Sequence, residues 1–206
     1  MKEIKVLVVD DHAVMRMGLS AILSANKGLT VVGEAEDGKA ALALTAKLKP
    51  DVVLMDIMMP GMDGAEATER IRQRVPDAKV LVFTNYDAID GIARALKAGA
   101  SGAALKNIDY KDLVDTIRTV ARGGRIVAPE IQRSLRESPP VEELSPRQLS
   151  ILKAIVRGLT DADIARECNL TSNGVRDAIT KIYAKLGASN RAEAVAIALR
   201  KHLLKI

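Results

Sequence analysis

Three carboxylates at the ends of two short apolar runs are the groups in this chain best placed to do chemistry. Asp10 and Asp11 close the run I-K-V-L-V-V, and Asp56 closes D-V-V-L-M. Val-rich runs this short, bounded by polar residues, read as central parallel strands, whose carboxyl ends line the crevice where ligands bind in open α/β sheets. Like charges gathered within a few Å raise a pKa or recruit a counter-ion. Hard carboxylate oxygens around a small open site suit Mg2+, which keeps waters and takes phosphate oxygens. A single Asp after a strand serves equally well as a helix cap. Three together point to a cation site prepared for a phosphoryl group.

Two further apolar runs end in complementary groups. K-V-L-V-F-T ends in Thr84, whose hydroxyl can donate to a phosphoryl oxygen, and A-S-G-A-A-L-K ends in Lys106, a point charge for the same anion. Acids for a metal, an acceptor carboxylate, a hydroxyl and a cation are the parts phosphoryl transfer needs, all expected on one sheet edge. Gly61 and Gly64, around Met62-Asp63, permit a sharp turn beside Asp56, with Pro60 fixing its entry.

These residues need a scaffold, and the first 123 residues supply one. Strand patterns at 4–9, 29–34, 51–55, 79–83 and 101–105 alternate with helical patterns at roughly 12–25, 38–48, 64–74, 88–98 and 109–121. Asp63 with Glu66, Asp87 with Asp90, and Asp109 with Asp112 mark helix starts. The expected class is a doubly wound, five-stranded parallel α/β sheet. Residues 124–143 read as a linker with one short helix, ending in Ser138-Pro139-Pro140 and the acids up to Glu143. Residues 144–206 then carry four helices near 146–157, 161–168, 172–186 and 190–204, opened by Ser145-Pro146 with Gln148, Thr160 with Asp163, and Asn190 with Glu193.

Charge divides along the same lines. Residues 1–123 hold 17 basic and 17 acidic side chains, residues 124–143 hold 3 and 4, and residues 144–206 hold 11 and 5, for net charges of 0, −1 and +6. A small basic helical unit on a neutral one suggests a nucleic-acid partner. Of 206 residues, 48% are hydrophobic and 28% charged, as in ordinary soluble proteins. The single Cys168 excludes an internal disulfide framework and fits a reducing compartment, while His12 and His202 lack metal-ligand spacing. No run approaches the roughly 20 apolar residues of a membrane span, and the N-terminus does not read as a signal peptide. The expected location is cytoplasmic.

The N-terminal motifs resemble the receiver domain of bacterial two-component response regulators, with its flavodoxin-like fold. Asp10-Asp11, M-D-I-M-M-P-G-M-D-G around Asp56, Thr84, and Lys106 in G-A-S-G-A-A-L-K carry the likeness across residues 1–123. The resemblance implies that Asp56 accepts a phosphoryl group from a sensor histidine kinase or a small phosphodonor. It further implies that Asp11, Asp56 and the Met58 carbonyl bind Mg2+ directly, that Asp10 does so through water, and that Thr84 and Lys106 contact the phosphoryl oxygens. Phosphorylation adds roughly 1.5 to 2 negative charges, which metal and Lys106 would offset while Thr84 moves inward. Receivers commonly place Tyr or Phe three residues before the lysine; here that position is Ala103, so the usual aromatic relay is absent. Tyr86 is the nearby aromatic and reads as a surface loop residue. G-E-A-E-D-G-K-A, Gly33 to Ala40, is close to a phosphate-binding loop, but Ala40 lacks the metal-binding hydroxyl, and Glu34, Glu36 and Asp37 would repel nucleotide.

In the basic unit, Val175, Ile179, Ile182 and Leu186 form one buried stripe, with Asp177, Thr180, Lys181 and Ala184 opposite and Arg176 and Lys185 flanking. With L-S-P-R-Q-L-S-I-L-K-A-I-V-R-G-L-T-D-A-D-I-A, this resembles the helix-turn-helix domain of the LuxR/NarL class. The resemblance implies that residues 171–186 enter the DNA major groove. That family usually reads Thr-Val-Lys-x-His here, whereas this chain has Gly174-Val175-Arg176-Asp177-Ala178. Asp177 suits a cytosine amino group better than a phosphate, and Thr171, Lys181, Lys185 and Arg191, joined by Ser189 and Asn190, are the backbone-contact candidates. Two-fold pairing on half-sites makes a homodimer the expected active form, with RNA polymerase a further partner. The reading is a phosphorylation-controlled transcription regulator without enzymatic turnover. Its alternative is a DNA-binding regulator whose receiver is a phosphorylation-independent dimerisation module.

Overall fold

In the computed structural model, the described residues are 3–85, 88–137, 144–200 and 203–204. The chain divides into two compact units, residues 1–139 and 140–206.

The Val-rich runs of the first unit form strands because β-branched side chains pack well on a pleated, two-sided surface. They are β1 (Ile4–Val9), β2 (Leu29–Ala35), β3 (Val52–Met55), β4 (Lys79–Thr84) and β5 (Gly102–Leu105). Between them run α1 (Ala13–Ser24), α2 (Gly38–Leu48), α3 (Gly64–Arg74), α4 (Ile89–Lys97) and α5 (Tyr110–Ala121). All pairings are parallel, in the order β2-β1-β3-β4-β5, with a sixth strand beyond β5. Alternation sorts each strand between two faces: Val6 and Val8 join Leu19, Leu23, Leu113 and Ile117 of α1 and α5, whereas Leu7 and Val9 pack with Ala41, Ala67 and Ile71 of α2 and α3. Each fully buried aliphatic side chain of this kind is worth roughly 1.5–3 kcal/mol against exposure.

The order reverses at β1, which lies between β2 and β3. β1 leads through α1 outward to β2 and β3 leads through α3 the other way to β4, so the loops after β1 and β3 part and leave a crevice. Asp10, Asp11 and Asp56 follow those two strands. The helix-start acids act as expected where they are described: Asp63 accepts from Glu66 N at 2.9 Å and Asp109 from Lys111 N at 2.8 Å. Asp37 adds a third cap, accepting from Ala40 N at 2.7 Å. Asp87 and Tyr86 lie outside the described residues, as do Ser138 to Glu143.

One feature exceeds the five-strand expectation. Ile126–Val127 forms a short sixth strand, β6, against β5, followed by α6 (Pro129–Glu137). Ala128 N donates to Ala103 O at 2.9 Å, extending the ladder. Two residues carry no readable period, which is why the segment reads as linker in the sequence. The short helix expected there is present, and it belongs to the first unit.

Among its described residues the second unit is all helical: α7 (Pro146–Val156), α8 (Asp161–Glu167), α9 (Ser172–Leu186) and α10 (Arg191–Arg200). Ser145 with Gln148 and Thr160 with Asp163 form reciprocal capping boxes. Thr171 caps α9 by accepting from Gly174 N at 3.1 Å, and Asn190 caps α10 by accepting from Glu193 N at 2.9 Å. Ile151, Leu152, Ile155, Ile164, Val175 and Ile182 form its core. Leu203 and Leu204, placed in the last helix by sequence, lie beyond its described end.

Candidate phosphoacceptor site and helix-turn-helix surface

Lys106 is the centre of the acidic crevice. Its Nζ lies 2.6 Å from Asp56 Oδ2 and 2.7 Å from Asp10 Oδ2, so one ammonium joins the ends of β1 and β3. All three groups are largely buried. Burial alone lowers the lysine pKa; hydrogen bonds to Asp10 and Asp56, with their charge, more than reverse this and hold it above its ordinary value. Asp56 Oδ1 accepts from Ile57 N at 2.7 Å and, more loosely, from Met58 N at 3.4 Å. The turn after Asp56 depends on Gly64, since a Cβ there would fall 1.9 Å from the Asp56 carbonyl oxygen.

Asp11 sits beside this pair with different surroundings. Its Oδ1 is buried and has no hydrogen-bond partner, although His12 Nδ1 approaches to 2.7 Å without the alignment of a hydrogen bond. His12 Nδ1 is also 3.4 Å from Asp10 Oδ1, and ligand atoms of Asp10, Asp11 and His12 lie within 4.8 Å of one another. An orphaned buried carboxylate oxygen is costly unless something fills it. Converging hard oxygens of this kind fit a divalent cation of the Mg2+ type. The sequence did not single out Arg16, whose Nη1 donates to the Asp10 carbonyl at 2.7 Å and whose Nε lies 3.7 Å from Glu34 Oε2. Only its place on the inner side of α1, one turn past the acids, could have drawn attention to it.

Thr84 ends β4 fully buried, with its hydroxyl unpartnered. Its backbone carbonyl accepts from Lys106 N at 2.9 Å, which fixes the two strand ends in register. The structure thus brings Asp10, Asp11, Asp56, Thr84 and Lys106 to one sheet edge, with Met58 in the adjoining loop. Ala103 is wholly buried on β5.

In the helical unit, Val175, Ile179, Ile182 and Leu186 are buried as one stripe of α9, and Arg176, Asp177, Thr180 and Lys181 are exposed. The Thr180 hydroxyl donates to Arg176 O at 2.9 Å. Arg191 is engaged inside the unit: Nη1 lies 3.1 Å from Asp161 Oδ1 and Nη2 donates to Leu159 O, tying the start of α10 to that of α8. Asp163, in the α8 capping box, has its pKa held below the usual carboxylate value by donation from the Thr160 hydroxyl and backbone N–H, with Arg166 adding to the effect.

A doubly wound sheet with acids at its switch point, bridged by a buried lysine, and a basic helix-turn-helix unit together define a DNA-binding regulator controlled by phosphorylation. Residues 6–118 match the response regulator receiver domain and residues 142–198 match the bacterial regulatory proteins of the luxR family. The chain belongs to the LuxR-family response regulators. It is 37% identical over 207 aligned positions to the response regulator protein VraR of Staphylococcus aureus, covering 98% of this chain and 99% of that protein. The crystal structure of the response regulator ChrA, of a heme-sensing two-component system, aligns at TM-score 0.60 and 35% identity, covering 99% of this chain and all of that one. An RcsB–DNA complex aligns at TM-score 0.67 and 23% identity over 97% of this chain and 99% of that one, a likeness of fold alone. Among the described residues, no helix is long and apolar enough to cross a membrane.

Proposed function

We propose that Asp56 is the phosphoacceptor, and that its phosphorylation controls binding of the helical unit to double-stranded DNA. The observation that carries this is the buried Asp56–Lys106–Asp10 bridge beside the orphaned Asp11 Oδ1. An Asp56 oxygen attacks the phosphorus of a sensor kinase's phosphohistidine, or of a small phosphodonor; the new P–O bond forms as the bond to the leaving group breaks, and the leaving group keeps the electron pair. Lys106 is already charged and in place for the added oxygens, and the Thr84 hydroxyl has no competing partner. Asp11, Asp56 and the Met58 carbonyl, with Asp10 beside them, would hold Mg2+, which would supply charge compensation for the incoming phosphoryl group. The protein acts once per phosphoryl group received, not as a turnover enzyme.

On the DNA side, Arg176, Asp177, Thr180 and Lys181 form the exposed reading face of α9, with Lys185 alongside. Thr171 and Asn190 serve their helices as caps, and Arg191 keeps further N–H donors beyond those already committed, so each can meet a phosphate at the rim. Homodimeric binding to paired half-sites, contact with RNA polymerase and a cytoplasmic location complete the reading.

The test is to incubate the full chain with Mg2+ and acetyl phosphate and locate the phosphoryl group by mass spectrometry. One phosphoryl group on Asp56, labile to base and to hydroxylamine as an acyl phosphate is, and lost in Asp56→Asn and without Mg2+, is the expected result. An unlabelled wild-type chain that still binds DNA as a dimer would establish the receiver as a phosphorylation-independent dimerisation module instead.

A further inference from the structure

The buried cluster beneath the acidic crevice reaches from the site residues to α6, the last described element before the second unit. Ile57, Val82, Ala88, Ile92, Leu105 and Ile131 belong to it. Ile57 directly follows Asp56 and Leu105 directly precedes Lys106. Ala88 closes the loop after Thr84, its N–H donating to Asn85 O at 3.4 Å. The Ile57 N–H is also the group that donates to the Asp56 carboxylate at 2.7 Å. The residue hydrogen-bonded to the acceptor oxygen therefore sends its side chain into this cluster.

α4 rests on that side chain. A Cβ at Gly91 would lie 2.3 Å from Ile57 Cγ2, so the helix approaches as closely as it does only because position 91 has none. α6 in turn packs on α4, and Ile131 is wholly buried. β6 pins the start of this segment through the Ala103–Val127 pairing and the 2.9 Å bond from Ala128 N to Ala103 O. Ala103 lies in the same cluster as Ile131, and its methyl group leaves room there that a ring would take.

We propose that α6 is the output element of the phosphoacceptor site, coupled to Asp56 through Ile57, the Gly91–Ile92 face of α4 and Ile131. The proposal rests on the reading of Asp56 as phosphoacceptor. Packed interiors do not deform continuously but shift between discrete arrangements, so a changed position of Ile57 or of the loop after Thr84 re-seats α4 and what packs on it. No aromatic relay at position 103 is needed. Ala103 instead shares the buried cluster that holds Ile131 of α6.

Hydrogen exchange on the full chain, with and without Mg2+ and acetyl phosphate, tests this, with Asp56 labelling measured on the same samples. Phosphorylation should change the exchange of α6 amides at least about fivefold and leave α2, on the far side of the cluster, unmoved. Ile131→Ala should be labelled at Asp56 as the wild type is, yet lose the phosphorylation-dependent change in α6. Ile131→Val, which keeps a branched side chain, should retain it. A labelled wild type whose α6 exchange does not change overturns the coupling while leaving the phosphoacceptor intact, as does an equal change in α2 and α6. A chain that is never labelled removes both.

Discussion

Asp177 and Lys181 lie four residues apart on the exposed face of α9, and their opposite charges give them opposite expected roles. An ammonium neutralises a phosphate and releases a counter-ion whatever the sequence beneath it. A carboxylate is repelled by phosphate and gains only where a base offers a donor, as the cytosine amino group does in the major groove. Lys181→Ala should therefore weaken binding to all DNA sequences about equally and reduce the log–log salt slope by about 1. Asp177→Ala should relax discrimination at one base position by roughly 1–3 kcal/mol and leave non-specific affinity unchanged or slightly raised. Quantitative binding across single-base variants of a selected site, at two salt concentrations, separates the two patterns. Uniform weakening by Asp177→Ala would remove its reading role. Arg191 differs from both: part of its head group holds α8 and α10 together, and only its remaining N–H donors are left for a phosphate.

At the level of the element, the sign of a substitution depends on what lies opposite it. Gly64 opens α3, and replacing a helical glycine by alanine ordinarily stabilises by up to about 1 kcal/mol. Here the new Cβ would meet the Asp56 carbonyl oxygen at 1.9 Å, so the loop carrying the acceptor must move. Gly64→Ala should cost about 1–3 kcal/mol by the overpacking it forces, and should slow acetyl phosphate labelling of Asp56; a stabilised, normally labelled variant would contradict both. That sensitivity was only half visible in the sequence. Gly61 and Gly64 announced a turn, because glycine, proline and aspartate have strong local preferences. The close approach to Asp56 is a property of the folded loop. The same division holds elsewhere. β1, β3 and β4 were legible because a Val-rich run bounded by polar residues has few other homes, and Asp63, Asp109, Ser145 and Thr160 were legible as caps because the cap bond is local. The role of the β6–α6 segment was not, since a two-residue strand and one short helix acquire it only from contacts with β5 and α4, residues distant in sequence. Likewise the carboxylates, Thr84 and Lys106 could be placed on one edge from strand order, but Lys106 joining Asp10 to Asp56 while Asp11 Oδ1 stays orphaned appears only in three dimensions.

For the whole molecule, the division into two units with separate cores governs how the chain responds to damage. The sheet unit is held by Leu54, Leu81 and their neighbours, the helical unit by Ile151, Leu152 and Ile182, and each core closes within its own unit. Small single domains unfold cooperatively, but chains of several domains need not share one transition. Leu54 and Ile151 are each about 1% exposed, so truncating either should cost roughly 2–5 kcal/mol through lost transfer energy and the cavity left behind. Leu54→Ala should lower the midpoint of one calorimetric transition and Ile151→Ala that of the other, each leaving its counterpart in place. Adding Mg2+ supplies an independent assignment, because a ligand that binds only the folded state raises the midpoint of the unit that holds it. The transition raised by Mg2+ should be the one lowered by Leu54→Ala, and a DNA fragment should raise the one lowered by Ile151→Ala. A single transition shifted equally by both substitutions would mean that the two cores unfold as one, and phosphorylation would then act on a molecule whose units share their stability rather than on two bodies joined through the segment after α6.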